Sequence, residues 1–451
     1  MRQAIHAIAL IAFLSIAVLS CARTGGIYQP PRESAALSSK TAIYPETEFV
    51  VISDPHYYDT RLGTDGKAYQ DYLNRDRKLL KESGEIMDAA VNEISSLSAD
   101  FVIVCGDLTK DGEKVNHQAM AAKLKRLVDS GKKVFVVPGN HDVENGEAVR
   151  YQGDQTYPVS IVSARMFAEI YRDFGYGAAL ERDPDSLSYV VEPVPGLWLL
   201  ALDTCKWRDN QPGHESPIGG AYSLQTFQWI ERMLMQSQKE GKAVIVFQHH
   251  GILEHYPHNK KFYSDYMVDD FERAGSMLSN FGVDLVFSGH FHAQDITLKT
   301  FDNPRRVIYD IETGSLVTAP CPYRRVAIDA NQKAVIESRF ISAISSRPEN
   351  FTAYAADYVY NGTIKLADAK LTEYKVSEPD RIKFNPQVAR AYVTHLNGDE
   401  KKRAVIDTDG VGLWAKVVMF KQEDLLYGWT TDLPPADNRL TIDLATGASA
   451  E

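Results

Sequence analysis

From about residue 46 the chain alternates short apolar runs with amphipathic stretches. Glu48-Phe49-Val50-Val51-Ile52 reads as a strand and is followed by Ser53-Asp54-Pro55-His56. Helical spacing of apolar positions predicts a helix over 77–97, and Phe101-Val102-Ile103-Val104-Cys105 is a second strand, followed by Gly106-Asp107. A helix over 114–130 and a strand over 133–137 come next, the strand closed by Pro138-Gly139-Asn140-His141-Asp142. The pattern continues with a helix over 160–171, strands over 188–192 and 197–202, a helix over 223–240 and a strand over 243–248 that runs into His249-His250. A helix over 269–281 precedes the strand Leu285-Val286-Phe287, which ends in Ser288-Gly289-His290-Phe291-His292. Alternation of this kind predicts an α/β domain with parallel strands, and the helix-free runs 307–312, 324–329 and 334–340 finish its sheet with antiparallel ones. Beyond Ser345 the chain is Tyr-rich and weakly periodic, with helices expected over 350–360, 386–396 and 413–421. The expected organisation is one domain over 46–340 and a small, mostly helical C-terminal accessory region over 341–451.

The N-terminus departs from this pattern. Arg2 precedes a nearly unbroken apolar stretch from Ala4 to Leu19. That stretch is shorter than the roughly 20 residues of a spanning helix and about as long as a signal-peptide core. It ends in Val18-Leu19-Ser20-Cys21, which resembles a bacterial lipobox, although Val18 and Leu19 depart from the commoner residues there. A lipoprotein-type signal over 1–21 with lipid on Cys21 is the preferred expectation; an ordinary cleaved signal and an uncleaved anchor are the alternatives. Residues 22–45, with Gly25-Gly26 and Pro30-Pro31, then form a flexible tether. The protein would be exported across the inner membrane and held on the bacterial cell envelope, touching the membrane through its lipid. Of the other cysteines, Cys105 lies in an apolar run as an inert buried thiol, and a pairing of Cys205 with Cys321 is left open.

Composition sharpens this only a little. With 451 residues, 44% of them hydrophobic and 24% charged, the chain has enough apolar material for a sizeable core. A formal net charge of −11 argues against a nucleic-acid polymer bound over a wide surface. A small phosphorylated substrate needs only one locally positive site, which metal ions supply.

The informative feature is where polar residues fall. Ligand sites of parallel α/β domains form past the carboxyl ends of strands, and here strand after strand ends in a potential metal ligand: Asp54 and His56, Asp107, Asn140, His249, then His290 and His292. Carboxylate, imidazole and amide oxygen without thiolate suit Mn, Fe or Zn. Seven donors are too many for one tetrahedral zinc and natural for two ions sharing a carboxylate.

In order and spacing, Asp54-Pro55-His56, Gly106-Asp107, Gly139-Asn140-His141-Asp142, His249 and Gly289-His290-Phe291-His292 resemble the calcineurin-like metallophosphoesterases, over about 46–340. The resemblance implies a four-layer sandwich of two mixed β-sheets flanked by helices, with a di-metal site at the strand ends. It implies that Asp54, His56 and His292 hold one divalent or trivalent ion, that Asn140, His249 and His290 hold the other, and that Asp107 bridges them. It further implies that His141 is catalytic, stabilising charge or protonating the leaving group, and that the nucleophile is a metal-bridging hydroxide. The compact motif set looks like bacterial members related to class III cyclic nucleotide phosphodiesterases. Phosphodiester hydrolysis is therefore the leading activity, a phospholipid-like diester staying open because an anchored enzyme meets lipid headgroups, with phosphomonoester hydrolysis second and a non-catalytic surface binding protein third.

Other residues carry weaker signals. His249 is preferred to the adjacent His250, and Asp142 either orients His141 or caps the next segment. Tyr57 is a pocket candidate, whereas Asp203 and His117 have structural readings at least as good. His214, His255 and His258, with Lys260 and Lys261, belong to loops expected to overhang the site. Trp207, Trp229 and Trp414 are expected to pack. Substrate identity is assigned to the loops 62–74, 206–220 and 251–268 without a specific pattern, and oligomeric state is not legible.

Overall fold

The strands β1 (Thr47–Ile52), β2 (Phe101–Val104) and β3 (Lys133–Val136) are almost wholly apolar and buried, as strands covered on both faces must be. They pair in parallel, with Phe49 beside Phe101 and Val102 beside Val134. The helices Ser83–Ser95 and Lys114–Asp129 connect them and bury Ile86, Ala90 and Ile94, and Met120, Leu124 and Leu127, in the same core. A small hairpin, β4 (Val149–Gln152) and β5 (Gln155–Pro158), follows. The structure, a computed structural model, describes Tyr28 and residues 42–302, 305–400 and 405–451. The expected signal segment, Cys21 and most of the tether lie outside the described residues.

A second sheet comprises β6 (Glu181–Arg182), β7 (Tyr189–Val194), β8 (Leu197–Leu202), β9 (Ala243–Gln248), β10 (Leu285–Ser288), β11 (Asp295–Asp302) and β12 (Arg305–Glu312). Its order is β11-β12-β10-β9-β8-β7-β6, with β8, β9, β10 and β12 parallel. Alternation along β9 explains the layering: Ile245 and Phe247 face the core shared with the first sheet, while Val244 and Val246 join Trp229 and Met277 of the covering helices Leu224–Glu240 and Phe271–Asn280. Phe49 of β1 and Phe287 of β10 meet edge to face across the sheets at 5.4 Å. The first sheet is completed by β13 (Pro322–Ile328), β14 (Lys333–Phe340), β15 (Arg439–Asp443) and β16 (Ala448–Ala450), all antiparallel, in the order β16-β15-β14-β13-β1-β2-β3. The result is the expected α/β sandwich of two mixed sheets between helices.

Several elements differ from expectation. The helix expected over 77–97 starts only at Ser83. Ahead of it, Asp76 Oδ1 accepts the Lys78 N–H at 2.8 Å and Leu79 N–H donates to the Val317 carbonyl at 2.7 Å, which draws 76–79 into a loop. β11 was not expected, although Ile296-Thr297-Leu298-Lys299 alternates as a strand should. The C-terminal region is mainly three helices, Phe351–Glu373, Glu378–Asn397 and Leu413–Gly428, the middle one running through Pro386 instead of starting there. Burial of Phe384, Ala389, Tyr392 and Leu396 along it outweighs the hydrogen bond that the proline removes. Cys105, Cys205 and Cys321 are all buried free thiols, so Cys205 and Cys321 do not pair.

Candidate metal centre

Every candidate ligand stands within four residues of the carboxyl end of a parallel strand: Asp54 and His56 after β1, Asp107 after β2, Asn140 after β3, His249 after β9, His290 and His292 after β10. Because the two sheets face each other, these ends meet at one edge of the sandwich. The loops turn sharply there. Asp54, His56, Asp107, His290 and His292 have φ of 50°, 35°, 47°, 77° and 72°, a region that non-glycine residues visit rarely and at a cost. Bonds between loops hold them so: His56 N–H donates to the Asp107 carbonyl at 2.9 Å, Gly289 N–H to the His249 carbonyl at 3.0 Å, and His290 N–H to Asp54 Oδ2 at 3.0 Å. Glycine is required for the approach itself. A Cβ on Gly139 would collide with the Asp107 carboxylate and backbone, and one on Gly289 with Ser53 Oγ and Asp54 Oδ2.

The donors then converge in two groups, Asp54, His56, Asp107 and His292, and Asp107, His249 and His290, with ligand atoms within 4.8 Å of one another in each. His56 Nε2 lies 3.1 Å from His292 Nε2 and 3.4 Å from Asp107 Oδ2, and His292 Nε2 lies 3.3 Å from Asp54 Oδ1. On the other side His249 Nε2 lies 3.5 Å from Asp107 Oδ2 and 3.1 Å from Asn140 Oδ1. Asp107 is thus common to both groups. His249 Nδ1 donates to the Cys105 carbonyl at 2.9 Å, which leaves Nε2 unprotonated toward the centre. Asp54 Oδ1 and His290 Nε2 are buried and have no hydrogen-bond partner among the described residues. Orphaned donors of this kind, in an oxygen and nitrogen set without sulfur, fit a pair of divalent or trivalent cations. Burial, and then the neighbouring charges of Lys78 at His56 and of His250 at His290, push both imidazoles well below their ordinary range, so they are neutral, as ligands must be.

His141 stands beside the centre, its Nε2 3.9 Å from Asp107 Oδ2 and its Nδ1 2.8 Å from Asp111 Oδ1. Burial opposes its charge, but Asp107 and the Asp111 hydrogen bond outweigh this and raise it to about 9. Asp111 is itself buried, tied to the equally buried Lys110. Asp142 does not orient His141: its Oδ2 accepts the N–H groups of Leu108 and Gly139, each at 2.9 Å, and its Oδ1 accepts Thr109 N–H at 3.0 Å. It staples the β2 loop to the β3 loop. Asp111, four residues past Asp107, was missed; nothing in its spacing marks it, because its role arises from how the loop folds back.

The remaining candidates sort cleanly. His250 is occupied on both nitrogens, by Thr204 Oγ1 at 2.7 Å and the Ile218 carbonyl at 2.8 Å. His255 is buried against Asp295 at 2.9 Å and Asp310 at 3.2 Å, not in an overhanging loop. His117 bonds Tyr171 and the Asp142 carbonyl in the core, and Asp203 braces a turn by accepting from Leu187, Cys205 and Trp207. Tyr57 packs beside Gly84 and under Lys123. Trp229 is buried, whereas Trp414 is exposed. A cleft of about 240 Å³ opens beside Asp107, Asn140, His290 and His292 and is walled by Arg75, Arg77, Lys78, Tyr263, Tyr266 and Tyr392. Two of the three loops expected to meet substrate reach it, through Ile218 and through Tyr263 and Tyr266. Arg75 to Lys78 and Tyr392 were not foreseen.

The sequence model described as calcineurin-like phosphoesterase matches residues 47–294. No curated protein matches the chain. Among solved structures, a dimetal phosphatase from Danio rerio is 16% identical at a TM-score of 0.45, the match covering 66% of this chain and 97% of that one. A purple acid phosphatase from seeds of yellow lupin (Lupinus luteus) is 13% identical at 0.39, covering 67% and 53%. The 5′-nucleotidase precursor of Thermus thermophilus is 12% identical at 0.36, covering 71% and 59%.

Proposed function

Given that the chain belongs to the calcineurin-like phosphoesterase family and is a hydrolase of phosphoric esters, we propose that it cleaves a phosphodiester at a two-ion centre. In this reading Asp54, His56 and His292 hold one ion, Asn140, His249 and His290 the other, and Asp107 both. The carrying observation is the convergence of both donor groups on the Asp107 carboxylate. Two bound cations supply Lewis-acid stabilisation of the phosphoryl oxygens and activate water. The chain's own residues do the rest. His141, oriented by Asp111 at its Nδ1, donates to the ester oxygen that leaves or stabilises charge on the phosphoryl group. Lys78, buried at the cleft wall and paired with Asp76 at 3.2 Å, adds positive potential at the same edge. The cleft of about 240 Å³ beside the ligands has room for the two organic groups of a diester, and we take the diester as the preferred substrate on that ground.

The test is hydrolysis of a bis-aryl phosphodiester and an aryl phosphomonoester by protein stripped of metal and reloaded with Mn, Fe, Zn or Mg. Metal-dependent turnover with a higher kcat/KM for the diester is expected; a monoester preference overturns the choice between them. His141→Ala should lower kcat by about 10²–10⁴-fold with both metals still bound by elemental analysis. Unchanged turnover would remove His141 from the chemistry. We infer also that lipid on Cys21 holds the enzyme at the cell envelope. Cys21→Ser should move activity from the membrane to the soluble fraction, and membrane retention of that variant would refute the anchor.

A further inference from the structure

The cleft beside the metal centre adjoins a second, larger one. The second measures about 400 Å³, within the range of small-molecule sites, and lies among the three C-terminal helices. It is largely apolar. Leu366 and Leu371 come from Phe351–Glu373, Val388 and Tyr392 from Glu378–Asn397, and Leu425 and Trp429 from the end of Leu413–Gly428. Arg77, Tyr263 and Tyr392 line both clefts. Arg77 lies with its guanidinium 4.4 Å from the centre of the Tyr392 ring and forms no salt bridge among the described residues. A cation therefore stands at the boundary between a polar cleft that ends on metal ligands and an apolar one. The helix that closes the apolar cleft also carries Leu413, Val417 and Phe420, 81%, 39% and 76% exposed, spaced four and three residues apart as one stripe facing outward.

We infer that the substrate is an amphiphile, a phosphodiester whose head lies at the two-ion centre and whose long apolar chain lies among the C-terminal helices, with Arg77 at the junction. This rests on the phosphodiesterase reading above and names its substrate class. The outward stripe on Leu413–Gly428, on the opposite face of that helix from Gln422 and Leu425 of the cleft, offers a lipid surface an apolar contact near the site. Arg77 recognises the anionic head by charge and by its planar fork, and the apolar chain contributes affinity through each methylene taken from water.

Binding and turnover separate the two layers of the argument. Calorimetric titration of the metal-loaded protein with methylphosphonate and octylphosphonate should show the octyl compound bound about tenfold or more tightly. Gln422→Trp and Leu366→Trp, which fill the cleft, should each drive that ratio toward one. Equal affinities in the unaltered protein would overturn the inference, as would a ratio that both folded variants leave intact. So would octyl glucoside binding as tightly as octylphosphonate, since the cleft would then accept any detergent. If the filled variants fail to fold, the ratio in the unaltered protein decides alone. In parallel, 4-nitrophenyl octyl phosphate should exceed 4-nitrophenyl methyl phosphate in kcat/KM. Failure of both diesters to turn over, with the octyl preference in binding retained, would refute the diesterase reading and not the apolar-chain site.

Discussion

Gly139 shows how far single positions constrain the centre. Its missing side chain lets the β3 loop approach close enough for Asp107 to sit between both donor groups, and His141 N–H to reach Asp107 Oδ1 at 3.0 Å. Gly139→Ala should therefore push the loops apart: the purified variant is expected to bind fewer than two metals per chain and to melt at lower temperature by an amount corresponding to about 1–3 kcal/mol of overpacking. Full metal content with unchanged melting would show that the loops can yield. Asp54, His56, Asp107, Asn140, His249, His290 and His292 could be picked out along the chain because each follows an apolar strand. Asp111 and Arg77 could not. Their roles depend on loops folding back, Asp111 onto His141 and Arg77 onto Tyr392, and no spacing encodes such a return.

The helix Lys114–Asp129 illustrates what an element must hide. It turns His117 inward, where Nε2 donates to the Asp142 carbonyl at 2.8 Å and Nδ1 accepts from Tyr171 Oη at 2.9 Å. Burial lowers this imidazole to about 4, only partly offset by the carbonyl. In the unfolded chain it titrates near 6.5. Between these values the unfolded chain binds the extra proton, so the stability contribution is whole above about pH 6.5 and is lost as pH falls toward 4. His117→Gln keeps a donor and an acceptor but cannot titrate. Chemical denaturation across pH 4–7 should show a shallower acid loss in the variant; parallel profiles would assign acid sensitivity to other groups. The helix was legible from its apolar spacing. That its histidine is a structural partner of Asp142, and so braces the loop carrying Asn140 and His141, was not.

Across the whole molecule, the segment after β14 is not an appendage. β15 returns to the first sheet with Leu440 opposite Ile336 and Ile442 opposite Ala334, and both Leu440 and Ile442 are fully buried. Arg324, also buried, donates to the Asp437 carbonyl and, at 2.6 Å, to the Glu312 carbonyl, tying that return to both sheets. Deleting 341–451 would expose the β14 edge and these apolar faces. The truncated chain should be insoluble or melt without cooperativity, whereas an independent accessory region would leave a soluble, cooperatively melting domain that calorimetry would detect.

Local composition determined most of what this chain is. Strands and helices follow from apolar periodicity, and glycine, aspartate and histidine at the strand ends follow from the backbone turns and ligand chemistry that those positions need. Such signals are legible because each is complete within a few consecutive residues. The tertiary structure alone decided that Asp111 rather than Asp142 holds His141, that Cys205 and Cys321 stay apart, and that Tyr392, more than 280 residues from Asp107, walls the same cleft. Those facts are contacts between segments remote in sequence. Their free energy depends on the packing of two sheets and ten-odd helical and loop segments at once, and no single stretch of chain contains it.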